Sequence, residues 1–366
     1  MQICHIISGD LWAGAEVMIY QLLKGLKKYE NLELSTVLLN EGKLAEEIRK
    51  LGIPANVVDE TRMSFFEIVR NIRKIISLVS PDIIHSHRQK ENILAYLSAK
   101  SNRKIQLVCT QHGMPEPLSV KFKIIKHIIL SKIHYYILLK YFRYVIAVSE
   151  DIRKNFIRKN GFPESKMVLI FNGTEIIIHP SKEVRNNFVI GSAGRLFPIK
   201  NYPLMVEIAR EILQRTDQVR FELAGDGPER LRILDQIHKY KMEKDFILRG
   251  FLDDMTTFYQ GLDLYINTSL HEGFPMSVLE AMAHGLPVIA SNTGGLKEIL
   301  NNEFQGYLVN GNNPVLFAEK CLQLYRDKEL TEKMGKASRD KIIREFSLDK
   351  MGKNYHDFYL NVLEQN

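Results

Sequence analysis

Two glutamates, Glu272 and Glu280, flank the start of an apolar phrase, SLHEGFPMSVLEAMAHGLP, at residues 269–287. A carboxylate accepts two hydroxyl hydrogen bonds side by side, which matches the vicinal diol of a sugar or ribose. The phrase follows a strand-like run, turns through Gly273, begins a helix around Pro275 and ends it at Gly285. Proline at the first helical position and glycine past the last are the expected order. The free N–H groups at such a helix start carry about half a unit of positive charge and form a natural seat for a diphosphate.

A second group lies upstream in GSAGRLFPIKN, residues 191–201. The Arg195 fork and the Lys200 point charge, both on a loop after a strand, can reach one diphosphate. Removing one such donor from a developing charge typically costs about 2.7–4 kcal/mol of barrier. The spacing is not that of a dinucleotide fingerprint. Two further turns, AGDGP at 224–228 and LRGF at 248–251, each follow a strand. In the first half, His112 follows another strand in TQHG (110–113), and His85 and His87 stand at a strand end in DIIHSH (82–87). A metal held by His85, His87 and His112 would lack a completing carboxylate or cysteine, so no metal is expected.

The elements that must carry these residues alternate in type. Apolar runs at Gln2–Ile7, Leu34–Leu39, Ile53–Val58, Ile83–Ile84, Ile105–Cys109, Val145–Val148 and Met167–Ile170 read as strands. Amphipathic segments such as Ala15–Tyr29, Glu41–Leu51, Ser64–Val79 and Asn92–Lys100 separate the first five. The alternation restarts with five more strands, Phe188–Gly191, Arg220–Ala224, Phe246–Leu248, Leu264–Ile266 and Pro287–Ala290, after a polar joint near 173–187. Such alternation implies parallel sheets covered by helices on both faces. The expected fold is α/β: two doubly wound, Rossmann-like domains facing each other across a cleft, with ligands at the carboxyl ends of the strands. The expected boundaries are 1–175, 176–345 and a final segment, 346–366. In that segment Met351, Tyr355, Phe358, Tyr359 and Val362 recur at helical spacing and suit a helix closing back on the first domain.

The glutamate pair with its flanking Gly-Phe-Pro and Glu-Ala-Met-Ala phrases resembles the retaining glycosyltransferases with two Rossmann-like domains, GT-B family 4. Two glutamates separated by seven residues are that family's hallmark, and the segment around Arg195 and Lys200 matches its Gly-Arg-Leu…Lys motif, with Asn201 where glycine is usual. The resemblance implies that Glu280 holds ribose hydroxyls and that Glu272 lies near the transferred sugar. It puts the amides around Gly273, Phe274, Met276 and Ser277 at the diphosphate; Pro275 can donate none. It implies that Arg249 and Gly250 lie beside the nucleobase, which is recognised mostly by backbone. Gly14, in DLWAGAE (10–16), stands where the family has Gly-Gly-Ala-Glu and would let backbone approach the donor phosphate; Ala13 replaces the first glycine. Glu16 reads as a helix-start residue. His112 matches a histidine that hydrogen-bonds the donor sugar or stabilises the reacting centre, and His85 and His87 read as cleft-lining. The implied reaction is metal-independent, with same-face attack and the departing phosphate oxygen taking the acceptor proton. Arg195, Lys200 and the helix start then stabilise the leaving diphosphate. No cofactor is implied, since the nucleotide-sugar, on base rate a UDP-sugar, is a substrate.

At 366 residues the chain exceeds one ordinary core. No run of about 18 uncharged apolar residues offers a membrane span. Residues 1–20 lack a basic n-region and carry Asp10 and Glu16, unlike a secretory signal. Cys4, Cys109 and Cys321 read as buried free thiols suited to a reducing cytoplasm. The net charge of +7 is divided unevenly, +9 over residues 1–175 and −2 over 176–366. Residues 118–148 interleave Lys121, Lys123, Lys126, Lys132, Lys140 and Arg143 with isoleucines, leucines and tyrosines, and hold no acid. One or two amphipathic helices lying on an anionic membrane surface would have this composition, as would a core-facing helix with basic solvent positions. The reading that follows is transfer from a nucleotide-sugar donor to a glycan or lipid-linked acceptor in cell-surface polysaccharide or lipopolysaccharide synthesis. The expected place is the cytoplasm, peripheral on the inner face of the membrane. The alternatives are a sugar-nucleotide epimerase or hydrolase on the same scaffold, or a non-catalytic membrane- or nucleic-acid-binding protein. Nucleic-acid motifs are absent, so no nucleic-acid partner is expected.

Overall fold

The computed structural model describes residues 1–10, 12–113, 121–176 and 187–365, with backbone alone for 121–129 and 160. The chain forms two compact units, Met1–Asn172 with Leu348–Asn366, and Gly173–Ser347.

The first unit opens with β1 (Gln2–Ile7), α1 (Gly14–Leu26), β2 (Glu33–Leu38), α2 (Lys43–Lys50), β3 (Ala55–Val57), α3 (Phe65–Val79) and β4 (Ile83–Ser86). It continues with α4 (Gln89–Ala99), β5 (Gln106–Gln111), α5 (Lys121–Tyr141), β6 (Tyr144–Ala147), α6 (Glu150–Asn160) and β7 (Met167–Leu169). Among the described residues the seven strands pair in parallel in the order β3-β2-β1-β4-β5-β6-β7. The order reverses between β1 and β4, which opens a crevice at the carboxyl ends of those two strands. Burial of Met18, Ile19, Leu22, Leu23 and Leu26 along α1 and of Ile68, Ile72 and Ile76 along α3 follows the helical repeat. A capping box between Ser64 and Glu67 fixes the start of α3.

The second unit holds β8 (Phe188–Ala193), α7 (Tyr202–Leu213), β9 (Val219–Ala224), α8 (Arg230–Lys239), β10 (Phe246–Gly250), α9 (Met255–Gln260) and β11 (Leu264–Asn267). Then come α10 (Met276–Ala283), β12 (Val288–Ser291), α11 (Leu296–Ile299), β13 (Gly306–Val309), α12 (Pro314–Arg326) and α13 (Lys328–Glu345). Its described strands form a parallel sheet in the order β10-β9-β8-β11-β12-β13, whose reversal lies between β8 and β11. The sheet has six strands where the sequence predicts five. The extra one, β13, starts on a glycine, a residue depleted in strands, and its pairing with β12 creates it.

The last helix, α14 (Leu348–Glu364), returns to the first unit, with Met351, Tyr355, Phe358, Tyr359 and Val362 buried. It crosses α1 where Gly25 and Gly352 meet: a Cβ on Gly352 would stand 3.1 Å from the Gly25 backbone. Lys28 and Asp349 form an ion pair at the same crossing. The three cysteines are buried and free. Among the described residues no helix is long and apolar enough to cross a membrane.

Candidate functional site

In the second unit the predicted residues gather at the strand-order reversal. Arg195 and Lys200 follow β8, and Glu272 follows β11, the strand beside it. The two loops are sewn together: the Leu270 N–H donates to the Ile199 carbonyl at 2.9 Å, and the Thr268 hydroxyl to the Lys200 carbonyl at 3.0 Å. Lys200 Nζ reaches Glu272 Oε1 at 2.6 Å, and the same oxygen accepts from the Ser269 hydroxyl at 2.6 Å. Burial pushes the Glu272 carboxyl up, but the Lys200 charge and these hydrogen bonds outweigh it, so the group sits below the ordinary range and stays ionised. Arg195 is exposed, its guanidinium 4.8 Å from the centre of the Phe197 ring.

The glutamates occupy different settings. Glu280 lies within α10, where Tyr259 donates to Oε2 at 2.8 Å. Burial lifts this carboxyl to about 7, the Tyr259 bond lowering it only in part. Pro275 is the N-cap of α10 in extended conformation and not its first residue, so the helix proper starts one place later than the sequence predicts, with Met276 and Ser277. Val278 and Leu279 donate back to the Pro275 carbonyl, which leaves the amides of Met276 and Ser277 at the free end of the helix. Gly273, Phe274 and Pro275 are buried, and the Phe274 ring packs edge-on against Phe346 at 5.2 Å. Arg249 is committed elsewhere: its Nη2 and Nε grip Glu222 at 2.6 and 3.0 Å on the neighbouring strand. Gly250 has φ +71°, and its carbonyl accepts from the Gly225 N–H at 2.7 Å.

Sequence reasoning missed three supports. Tyr259 belongs to α9, one helix upstream of the one it serves with β11 between them, and no spacing announces it. Ser269 stands three residues before Glu272, inside the phrase, but reads only as a polar loop residue. The Gly294–Gly295 turn after β12 embraces the Glu272 backbone, with the Gly295 N–H donating to the Glu272 carbonyl at 3.0 Å. Gly294 has φ +50°, and a Cβ there would overlap that carbonyl oxygen. A Gly-Gly pair just past a strand end was the available signal.

In the first unit, β1, β4 and β5 bring four histidines to one face. His5 and His85 are cross-strand partners, His87 lies two residues past His85, and His112 follows β5. His5 Nδ1 lies 3.1 Å from His87 Nε2, and His87 Nδ1 lies 3.2 Å from His112 Nε2. Both nitrogens of His85 are engaged, Nδ1 by the Tyr359 hydroxyl at 2.6 Å and Nε2 by the Thr110 hydroxyl at 2.8 Å. Burial holds all four imidazoles well below the ordinary range, His5 and His112 at about 3. His5 was not among the expected residues, although a histidine inside the apolar run QICHII is itself a signal. His5, His85 and His87 each offer a ring nitrogen within 4.8 Å of the others. The His85 and His87 rings, however, are stacked 24° from parallel with centroids 4.3 Å apart, so their in-plane lone pairs do not converge as metal ligands must.

Beside them, Arg88 pairs with the buried Glu16 and with Asp10, and the Ser8 hydroxyl donates to Glu91 at 2.5 Å. Burial raises Glu16 to about 7 despite Arg88. Gly14 is the first residue of α1, and a Cβ on it would meet nothing within 4 Å. Of residues 118–148, those at 118–120 lie outside the described residues, as do the side chains of 121–129. The rest of α5 buries His134, Ile137 and Leu138 and exposes Leu130, Ile133, Tyr136 and Leu139.

Comparison with known proteins adds to this geometry. The family model "Glycosyltransferase Family 4" matches residues 12–176 and "Glycosyl transferases group 1" matches residues 173–341. A UDP-Gal:alpha-D-GlcNAc-diphosphoundecaprenol alpha-1,3-galactosyltransferase of Escherichia coli is 27% identical, covering 95% of this chain and 97% of its own. The crystal structure of Anabaena Alr3699/HepE in complex with UDP and glucose superposes with a TM-score of 0.86 at 21% identity, covering 98% of this chain and 99% of that one. The lipopolysaccharide outer core galactosyltransferase WaaB in apo form gives 0.73 at 19% identity, over 99% and 100% of the two chains. Two doubly wound units, the glutamate-bearing helix at the second unit's reversal point and two adjoining family matches from residue 12 to 341 make one case: the chain belongs to the family 4 glycosyltransferases of the GT-B fold.

Proposed function

We propose that this glycosyltransferase takes a sugar from a UDP-sugar and transfers it, with retention of anomeric configuration and without a metal ion, to a glycan or lipid-linked acceptor of cell-surface polysaccharide or lipopolysaccharide synthesis. The observation that carries the donor half is the arrangement around α10: an ionised Glu272 tied to Lys200 before the helix, free amides at its start, and Glu280 within it. The diphosphate is held by the amides of Met276 and Ser277, by Arg195 and by Lys200, which supply in fixed form the positive charge that other transferases draw from magnesium. Glu280 accepts the ribose hydroxyls, Glu272 and His112 bond the transferred sugar, and the backbone around Gly250 meets the base. As the bond to the anomeric carbon breaks, the leaving phosphate oxygen takes the acceptor proton on the same face. The names of the E. coli relative and of the UDP-bound neighbour support the choice of donor and a diphosphoundecaprenol-linked acceptor.

The acceptor half rests on α5. Leu130, Ile133, Tyr136 and Leu139 recur every three residues and are each about half exposed, beside exposed Lys132 and Lys140. An apolar stripe in a basic setting suits the headgroup region of an anionic leaflet, where each basic residue contributes about 1 kcal/mol. The protein then works peripherally on the inner face of the membrane.

The test is a panel of radiolabelled nucleotide-sugars offered with a diphosphoundecaprenol-linked sugar, with Glu280→Ala as control. Label should pass from one UDP-sugar into the lipid fraction, unaffected by chelator, giving a product with the donor's anomeric configuration. Release of free sugar or an epimer without acceptor would replace this reading with that of a hydrolase or epimerase. Flotation with phosphatidylglycerol vesicles tests the membrane half; no flotation at low salt removes it.

A further inference from the structure

The row His5–His87–His112 has a chemical direction. A neutral imidazole carries one N–H and one lone pair, so each ring can donate through one nitrogen only. Burial keeps the rings neutral. Two polarities then satisfy both contacts. In the first, His5 Nδ1–H donates to His87 Nε2, and His87 Nδ1–H donates to His112 Nε2. In the second, every bond is reversed, and His5 must carry its proton on Nε2. That nitrogen is buried and meets no partner among the described residues. A buried N–H without an acceptor is rarer in folded proteins than an under-used acceptor, so the first polarity is favoured.

The surroundings resist rearrangement. His87 stacks on His85 at 4.3 Å, and the His5 ring lies within 14° of the His87 plane, as an in-plane N–H···N bond requires. His85 is itself held by Thr110 and by Tyr359 of α14, and Thr110 contacts the Tyr355 hydroxyl at 3.1 Å. The row is therefore clamped between two strands and the last helix of the unit.

We propose that His5 and His87 are positioning residues that lock His112 in the Nδ1–H tautomer, so that it meets the donor sugar as a hydrogen-bond donor and not as a base. This rests on the reading that His112 touches the transferred sugar. A fixed N–H suits a sugar oxygen that gains negative character during transfer, and its orientation is set before substrate arrives. His112 Nδ1 is the ring nitrogen that His87 leaves unengaged.

Long-range proton–nitrogen correlation on the full chain, labelled with 15N-histidine and free of substrate, tests the tautomers directly. His5, His87 and His112 should all show protonated Nδ1 at pH 7.5; an Nε2–H signal at His112 overturns the proposal. Two variants add a functional readout. His87→Asn keeps an N–H near the place of Nδ1 and should hold both the His112 tautomer and turnover to within about threefold. His87→Leu should leave His112 as a mixture of tautomers, with turnover down about 10–100-fold, the usual scale for losing an orienting partner. If His87→Leu loses turnover while His112 keeps a single Nδ1–H form, the effect is merely structural and the proposal fails. His112→Ala separates the two layers: unchanged turnover would remove His112 from the sugar while the spectra still decide the direction of the row.

Discussion

The same residue type does opposite things at the two glutamates, and the neighbours decide which. Glu272 has a cation and a hydroxyl on one oxygen and stays charged; Glu280 has a buried tyrosine and is held near neutrality in its titration. For Glu272 the pairing implies a large single-site cost. Lys200→Met leaves a buried carboxylate uncompensated, a loss on the order of 3 kcal/mol for the second unit. Differential scanning calorimetry should show that loss together with turnover reduced at least a hundredfold; an unchanged melting temperature would mean the ion pair contributes nothing. For Glu280 the sign runs with pH. Ribose hydroxyls need an ionised acceptor, so UDP affinity should rise about tenfold per unit as pH climbs toward 7 and level above it. Titration calorimetry of the wild type against Glu280→Gln checks this, because the amide variant should bind weakly with no such slope.

At the level of elements, the site depends on loops that hold one another. The Glu272 backbone is braced by the Gly294–Gly295 turn, and the Lys200 loop by Thr268 and Leu270. Gly294→Ala is therefore expected to displace Glu272 and Lys200 together although neither is altered, and to lower turnover more than it lowers the melting temperature. Equal activity of that variant and the wild type would show that the Glu272 loop is held elsewhere. The crossing of α1 and α14 is the corresponding joint of the first unit. Gly352→Val puts two methyl groups into backbone already at 3.1 Å from a single Cβ, an overpacking cost of about 1–3 kcal/mol. Faster amide exchange should then appear in α1, α14 and the histidine row, with the second unit unaffected.

Across the whole molecule, the two units respond to acid differently. His5, His85, His87, His112 and His134 of the first unit all titrate below their unfolded value of about 6.5 because they are buried. The stability they contribute is complete above 6.5 and is lost as pH falls below it, toward about 3 for His5 and His112 and about 4 for His134, each at up to about 1.4 kcal/mol per unit. Glu16 acts in the other direction, its raised carboxyl stabilising the fold as pH falls from about 7, and burial raises Glu91 in the same sense, but two groups oppose five. In the second unit Glu280 gains stability over the same descent, and Glu272 loses it only below about 4.5. Hydrogen exchange, corrected for intrinsic rates, should therefore show the first unit opening between pH 6.5 and 4.5 while the second holds. Parallel loss in both units would contradict this account.

The alternation of apolar runs and amphipathic segments was enough to read two doubly wound domains, because a parallel strand buried on both faces leaves a continuous hydrophobic signature in one stretch of chain. The phrases around Glu272 and Lys200 were legible for a related reason: each is local, and a loop after a strand or the start of a helix is written in consecutive residues. Tertiary structure alone decided what depends on residues far apart in sequence. It brought Lys200 against Glu272 across 72 positions, set Tyr259 beneath Glu280, added β13 through its pairing with β12, and aligned His5, His87 and His112 from three strands. Charge state, tautomer and loop bracing are properties of neighbours in space, and neighbours in space are chosen by packing.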